Sequence, residues 1–162
     1  MDLLPFDDYV RSLNRKRMSA GVLYRDQNDR VLIVEPSYKE RWDIPGGACE
    51  KDEPPWKTAV REVLEELGID QPLGQLIIID YIPADDRMPE GLAFIFDGGL
   101  ISDEDVAQLN ITDPEIVSAR LMTLDDAAPK LKPILARRVA AALDAARSAK
   151  LVTCEDGRPV AG

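Results

Sequence analysis

The stretch EPPWKTAVREVLEEL, residues 53–67, constrains the fold more than any other part of the sequence. Prolines at 54 and 55 favour a helix start, and Gly68 marks its end. At 100° per residue, Glu62, Glu65 and Glu66 fall within an arc of about 100°. The apolar residues on the opposite side are Val60, Val63, Leu64 and Leu67. We therefore predict an amphipathic helix that buries this apolar side against a sheet and fixes the direction of the carboxylates.

Three carboxylates on one side of a helix repel one another, and the helix dipole disfavours them near the C-terminal end. A solvated face of an acidic protein is one explanation. A divalent cation is the other, since several carboxylates around a hard cation turn their repulsion into attraction. Arg61 stands beside Glu62, and the turn Pro45–Gly46–Gly47 before the helix can offer carbonyl oxygens. These two features favour a metal site.

The composition limits the chemistry further. The chain has 162 residues, enough for one domain, and no histidine, which excludes hydrolases that depend on imidazole. A site rich in oxygen ligands points to Mg²⁺ or Mn²⁺ in preference to zinc. The net charge of −10 argues against nucleic acid polymers as partners.

The N-terminal sequence, the lack of long apolar windows and the cysteines indicate the cellular compartment. The N-terminus is acidic where a signal peptide would be basic, and no window has the apolar length of a membrane span. We expect a soluble, cytoplasmic protein without membrane association. Cys49 and Cys154 have neither a metal-binding spacing nor the pattern of a disulfide framework, so both are predicted to be free thiols.

Hydrophobic patterns predict strands before and after the central helix and a further helix near the C-terminus. The predicted strands are 18–25, 30–36, 75–83, 92–100 and 115–124, and the C-terminal helix is 133–149. This order predicts an α/β fold with a mixed β-sheet between helices. Residues 1–17 are predicted to be a helical arm, residues 18–149 the domain, and residues 150–162 a flexible C-terminal tail.

Residues 47–69 match a known pattern at every specified position. With U for a bulky apolar residue, the Nudix box is GX5EX7REUXEEXGU. The matching residues are Gly47, Glu53, Arg61, Glu62, Val63, Glu65, Glu66, Gly68 and Ile69. The chain therefore resembles the Nudix hydrolase family. The resemblance implies an α/β/α sandwich that uses Mg²⁺ or Mn²⁺ to hydrolyse a diphosphate linkage in a nucleoside diphosphate joined to another group.

The resemblance also implies roles for residues of the box. Glu65, Glu66 and the carbonyl oxygen of Gly46 would bind metal, and Glu62 would be a further ligand or the base. Glu53 would support the site, and Arg61 would orient Glu62 and Glu53. Many members add an acid from a later loop. Glu115 is the candidate here and Glu104 the second, while either could instead be a surface acid.

In the family, residues outside the box determine substrate specificity, and the sequence signatures of the known subfamilies are missing here. Asp85 stands where ADP-ribose hydrolases carry proline. Possible contacts to a base or phosphates are Arg25, Tyr38, Lys39, Arg41, Trp42 and Arg87, although packing for Trp42 and solvated loops for the others are the alternative. ADP-ribose, a nucleotide sugar and an oxidised nucleoside triphosphate remain open as substrates. So do a non-catalytic nucleotide sensor and a homodimer formed through the N-terminal segment.

Overall fold

The computed structural model describes residues 2–160, which form five helices and eight strands. The helices are α1 (Phe6–Ser12), α2 (Pro55–Leu67), α3 (Asp103–Ala107), α4 (Leu124–Ala127) and α5 (Pro133–Ser148), with a 3-10 turn at Ala128–Lys130. The strands are β1 (Arg17–Arg25), β2 (Val31–Pro36), β3 (Gly46–Ala48), β4 (Leu76–Ile82), β5 (Gly91–Leu100), β6 (Ile116–Met122), β7 (Val152–Glu155) and β8 (Arg158–Pro159). The predicted strands and the C-terminal helix are thus confirmed, with ends that move by at most two residues.

The strands form one mixed sheet in the order β6-β2-β1-β5-β4-β7-β8, with β3 paired to β1 outside this path. Strand β1 runs parallel to β5, and β4 runs parallel to β7; the other pairs are antiparallel. One edge of β1 is shared, because β3 pairs with Ser19–Gly21 while β2 meets β1 at Arg25. The short strand β3, which begins the box, is therefore held at one end of β1.

Apolar side chains on the two faces of the sheet form two cores. On one face Leu23, Ile78 and Ile95 pack with the buried side of α5, which includes Val139 and Leu143. On the other face Val22, Leu32 and Phe96 pack with Ala59, Val63 and Leu67 of α2. Alternation along the strands sends successive side chains to opposite faces, so the central strands β1, β2 and β5 contribute to both cores. The predicted α/β sandwich, with helices on both faces of a mixed sheet, is confirmed.

The ends of α2 agree with the sequence, but its buried side does not. Pro55 occupies the first turn of the helix. Gly68 ends the helix in the left-handed conformation, with φ 69°, and its N–H donates to the carbonyls of Val63 and Leu64. Val60 and Leu64 are exposed, whereas Glu66 is buried. The prediction of a purely apolar buried side opposite the acids is therefore wrong. The buried face includes Ala59, Val63 and Leu67, and it overlaps the acidic side at Glu66.

The predicted flexible tail is also wrong where the structure describes it. Strand β7 extends the sheet by pairing with β4, and the turn at Gly157 returns the chain as β8. The backbone of β7 is hydrogen-bonded to β4, and Asp156 forms an ion pair with Arg137 of α5. These contacts explain why this segment is ordered. Residues 161 and 162 lie outside the described residues. In the predicted arm, α1 covers only Phe6–Ser12, and β1 already begins at Arg17.

Two further features bear on the sequence predictions. Cys49 and Cys154 are both free, and burial raises the pKa of the Cys154 thiol. Within residues 2–160, no helix combines the length and the apolar character needed to cross a bilayer.

Candidate active site

Arg61 lies at the centre of the box and contacts three of its carboxylates. Its Nε donates to Glu53 Oε2 at 2.8 Å, and one terminal nitrogen, Nη1, donates both to Glu62 Oε1 at 2.9 Å and to Glu65 Oε2 at 3.2 Å. A second bond to Glu53, at 3.0 Å, makes that pair bidentate. One terminal nitrogen also reaches the carbonyl of Ala48 at 3.4 Å, which ties α2 to β3. Arg61 thus hydrogen-bonds both Glu53 and Glu62, the two carboxylates that the resemblance assigns to it.

Glu53 is fixed before the helix begins. Its Oε1 accepts from Thr58 Oγ1 at 2.5 Å and from the backbone N–H of Glu50 at 3.2 Å. The bonds from Arg61, then that from Thr58, lower the pKa of Glu53 to about 2. Glu53 is thus held ionised beside Arg61 at neutral pH.

Glu66 is the buried member of the acidic cluster, with only 9% of its surface exposed. Its Oε2 accepts a hydrogen bond from the backbone N–H of Gly46 at 3.1 Å. Within the described residues, this is the hydrogen bond that the Glu66 side chain makes. Burial raises the pKa of Glu66 to about 8, and the nearby charges of Glu62, Asp43 and Asp113 add to the rise. A buried carboxylate with one neutral donor has little to balance its charge, so this position favours a bound cation.

Glu62 lies against the first glycine of the box. A Cβ built on Gly47 would stand 2.5 Å from Glu62 Oε1, so only glycine leaves this carboxylate in place. Burial raises the pKa of Glu62, Arg61 opposes the rise, and the charges of Glu65 and Glu115 add to it. A carboxylate whose pKa moves toward neutrality is better suited to accept a proton than an ordinary glutamate.

The two candidates for a later acid lie in different places. Glu115 precedes β6, and its charge acts on Glu62 and on Tyr38, so it belongs to the surroundings of the box. Glu104 is exposed on α3, and no bond joins it to the box carboxylates in the described residues. The structure therefore brings Glu115, and not Glu104, toward the acidic cluster.

The donors of the box suit a hard divalent cation in type, although not in their present arrangement. The box offers carboxylate oxygens and no imidazole, and its acids outnumber the single guanidinium of Arg61, so donor type and charge fit Mg²⁺ or Mn²⁺. As placed, no three carboxylates of the described residues converge on one point. Glu53, Glu62 and Glu65 are drawn to Arg61, while Glu66 bonds Gly46. Binding of a cation therefore requires Glu62 or Glu65 to turn away from Arg61.

A cleft of about 670 Å³ opens beside β3, on the face of the sheet that carries α5. Gly46, Gly47 and Ala48 line one side of it, so the cleft and the acidic cluster lie on either side of the same short strand. The loop before β3 supplies one wall, the first turns of α5 supply the other, and residues of β1 and β5, among them Ser19 and Ala93, form the floor. A molecule in the cleft can thus reach the box backbone.

Four of the six residues named as possible substrate contacts line this cleft: Tyr38, Lys39, Arg41 and Trp42. Tyr38 is 65% exposed. Trp42 has Lys130 at 4.5 Å and Arg120 at 5.4 Å from its ring centroid, and Arg41 donates to the carbonyls of Pro129 and Leu131, each at 3.2 Å. Trp42 and Arg41 therefore also hold the wall of the cleft together.

Arg25 does not line the cleft, which corrects the prediction for this residue. Strand β1 meets the cleft near Arg17 and Ser19, whereas Arg25 lies at the opposite end, paired with Val31 and Leu100. Arg87 is likewise not among the lining residues. The sequence analysis missed Arg138 and Lys132, which do line the cleft. Both lie on or before an amphipathic helix, and only the packing of α5 shows which of its charges face a cavity.

Comparison with known proteins agrees with this geometry. A model of the NUDIX domain matches residues 15–143. A segment of 70 residues is 41% identical to diphosphoinositol polyphosphate phosphohydrolase 2 of Mus musculus, covering 43% of this chain but 39% of that protein. The match thus spans well under half the length of the curated relative.

Solved structures cover more of the chain. The MutT protein from Methanosarcina mazei Go1 has a TM-score of 0.64 at 22% identity, covering 86% of this chain and 99% of that one. An ADP-ribose pyrophosphatase from Streptococcus suis 89-1591 has a TM-score of 0.64 at 21% identity, covering 87% and 99%. At these identities the likeness concerns the fold alone. The match of the family model over most of the chain shows that this protein belongs to the Nudix family.

Proposed function

We propose that the chain is a metal-dependent pyrophosphohydrolase that cleaves the diphosphate linkage of a nucleoside diphosphate joined to another group. The observation that carries this proposal is the Arg61 cluster, in which one guanidinium lies within 3.2 Å of Glu53, Glu62 and Glu65 beside a cleft of about 670 Å³. Carboxylates gathered around one guanidinium next to a cleft suit metal-assisted hydrolysis of a diphosphate.

The metal would be Mg²⁺ or Mn²⁺, held by Glu62, Glu65, Glu66, Glu115 and the carbonyl oxygen of Gly46. When bound, such an ion neutralises phosphate charge and lowers the pKa of a water molecule. Glu66 is the strongest candidate ligand, because its buried carboxylate has a single neutral donor in the described residues. Glu115 is preferred to Glu104, because its charge already acts on Glu62.

Glu62 would accept a proton from the attacking water. Its raised pKa makes it a stronger base than an ordinary glutamate, and Arg61 holds one of its oxygens at 2.9 Å. Arg61 in turn is held by Glu53, which stays ionised because its pKa is about 2. Thus Glu53 fixes Arg61, Arg61 positions Glu62, and the attack needs little more than positioning and charge stabilisation.

The substrate would lie in the cleft with its diphosphate near β3. Tyr38 offers an exposed aromatic ring, and Lys39 and Arg41 offer charge at the same wall, which suits a base and phosphates. ADP-ribose, a nucleotide sugar and an oxidised nucleoside triphosphate are the first substrates to test. Diphosphoinositol polyphosphates join them, because the curated relative of Mus musculus is named for these compounds.

A second candidate function is nucleotide sensing without cleavage. One observation favours it, since no three carboxylates of the described residues converge on one point in this arrangement. The two functions differ in one result. The hydrolase releases a mononucleotide or phosphate from a panel member in the presence of Mg²⁺ or Mn²⁺, whereas the sensor binds metal and nucleotide and releases nothing.

The test compares the wild type with Glu62→Gln, and with Glu155→Gln as a matched control on exposed β7. We expect Glu62→Gln to keep its fold and lose at least ~10²-fold in turnover, the lower end for a positioned base. Glu155→Gln should match the wild type. Glu115→Gln should raise the metal concentration needed for half-maximal activity, and Glu104→Gln should not. Unchanged turnover in Glu62→Gln would remove Glu62 from the mechanism.

A further inference from the structure

A continuous row of paired residues crosses the floor of the cleft from the box to β4. Ala48 of β3 pairs with Ser19 of β1, Ser19 pairs with Ala93 of β5, and Ala93 pairs with Asp80 of β4. Strands lie about 4.8 Å apart, so three steps place Asp80 about 14 Å from β3. Paired residues point to the same face of a sheet, and Asp80 points toward α5. Arg138, which lines the cleft and is held by the buried Asp80, therefore lies at a far end of the cleft, well separated from the acidic cluster.

Arg138 of α5 lies at this far end and is nine-tenths buried, with 9% of its surface exposed. Its Nε donates to Asp80 Oδ2 at 2.7 Å, and the N–H of Gly157 donates to Asp80 Oδ1 at 3.0 Å. Within residues 2–160, its two terminal nitrogens have no hydrogen-bond partner. Neither of them is among the fully enclosed unpartnered atoms of that range, which are Tyr24 Oη and Arg25 Nε. Since Arg138 lines the cleft, these donors are open to it.

Two neighbouring features add positive charge at the same place. Helix α5 spans Pro133–Ser148, and no side chain caps its N-terminus, where Ile134 and Leu135 line the cleft. A free helix N-terminus offers N–H donors and the positive end of the helix dipole. Lys132 precedes the helix, lines the cleft, and forms no ion pair among the described residues. The far end of the cleft thus has three kinds of donor: the Arg138 guanidinium, the Lys132 ammonium and the backbone N–H groups of the first turn of α5.

The acids that line the cleft are already engaged. Asp156 bonds Arg137 at 3.1 Å and Arg158 at 3.0 Å. Asp43 bonds Lys39 at 2.8 Å. Asp85 accepts the backbone N–H groups of its own loop at Arg87 and Met88, and these bonds lower its pKa. In a chain with a net charge of −10, the open charges at the far end of the cleft are positive.

We propose that Arg138, Lys132 and the first turn of α5 form a second anion subsite, which binds a phosphate monoester on the part of the substrate farthest from the box. This assignment rests on the proposed function for the identity of the molecule in the cleft. It narrows the substrate class to diphosphates that carry a further phosphate about one nucleoside away. Asp80 is a positioning residue, since it holds Arg138 through Nε and leaves the terminal nitrogens for the ligand.

The first test uses inorganic phosphate in EDTA, where the acidic box repels phosphate and only the far subsite attracts it. Calorimetry is run on the wild type, Lys132→Gln, the double variant Asp80→Asn with Arg138→Met, and Lys150→Gln at the other end of α5. We expect wild-type binding to weaken about 3-fold in Lys132→Gln and at least ~10-fold in the double variant, with Lys150→Gln unchanged. The double variant removes both charges and keeps an acceptor for Gly157, and circular dichroism confirms that it folds.

Absence of phosphate binding in the wild type, or equal binding in all four proteins, would overturn the subsite. This result does not depend on hydrolysis. The second test compares kcat/KM for ADP-ribose and for ADP-ribose 2′-phosphate, which differ by one phosphate monoester. We expect the wild type to favour the phosphorylated compound by about 10-fold or more, and the double variant to lose this preference. If neither compound is cleaved, the proposed function fails for them and the phosphate titration alone decides the subsite.

Discussion

Replacing Glu66 with glutamine removes the charge of the buried box carboxylate but keeps an oxygen that can accept the N–H of Gly46 at the same position. In the metal-free protein we expect this change to stabilise the fold at alkaline pH. The physical reason is that Glu66 is buried beside Glu62, with one neutral donor in the described residues, so its ionised form is costly in the folded state. The side-chain volume hardly changes, and packing should stay intact.

The magnitude follows from the pKa of Glu66, which rises from 4.5 to about 8 on folding. Between these values the folded protein holds a proton that the unfolded chain has lost, so wild-type stability falls as the pH rises through this range. The contribution is complete below pH 4.5 and is gone above pH 8. At 1.36 kcal/mol per pH unit the whole loss is about 5 kcal/mol, of which about 4 kcal/mol falls between pH 5 and pH 9.

The assay is urea denaturation in EDTA at pH 5 and pH 9, followed by tryptophan fluorescence, on the wild type and Glu66→Gln. Subtracting the variant from the wild type removes the titration of all groups that the two proteins share. We expect the free energy of unfolding to fall by about 4 kcal/mol more in the wild type than in the variant between the two pH values. Parallel pH dependences would refute the buried, uncompensated carboxylate. Added Mg²⁺ should stabilise the wild type and have a much smaller effect on the variant.

Three further changes test other parts of the site. Arg61→Lys keeps a charge but loses the planar fork, and turnover should fall ~10²-fold while circular dichroism stays native. Gly47→Ala places a Cβ 2.5 Å from Glu62 Oε1, so kcat should fall by at least ~10-fold with little loss in Tm; an unchanged kcat would contradict the close approach of Gly47 to Glu62. Ending the chain after Lys150 removes β7 and the N–H of Gly157 that Asp80 accepts; the melting temperature should drop by several degrees, and an unchanged value would count against the ordered hairpin.

The sequence predicted the parts of the fold that local signals determine. Prolines at 54 and 55 and Gly68 limited α2 closely, because each acts on the backbone at its own position. Apolar runs located the central strands for a similar reason, since a buried strand needs apolar side chains wherever it lies. The relation between Glu53 and Arg61 came from the resemblance to the Nudix box, and in the structure Arg61 donates to Glu53 at 2.8 Å.

What the sequence missed depends on contacts between distant segments. A helical wheel assigns every apolar residue to the core, but the sheet covers only part of that arc, and so Val60 and Leu64 remain exposed while Glu66 is buried. Residues 152–159 lack a hydrophobic pattern, and their order comes from pairing with β4 and from the bond of Asp80 to Gly157. The placement of Arg25 was wrong because nothing local shows which end of β1 meets the cleft.

The central claim is that the box of this chain catalyses attack of water on a diphosphate. Its most direct test is incubation in ¹⁸O water with Mg²⁺ and a mixture of ADP-ribose, nucleotide sugars, diphosphoinositol polyphosphates and nucleoside triphosphates, followed by mass analysis of the products. We predict that at least one compound is cleaved at its diphosphate, that one product phosphate carries a single ¹⁸O atom, and that EDTA abolishes the reaction. Binding of metal and nucleotide with no labelled product from any compound would contradict the claim and identify a sensor instead.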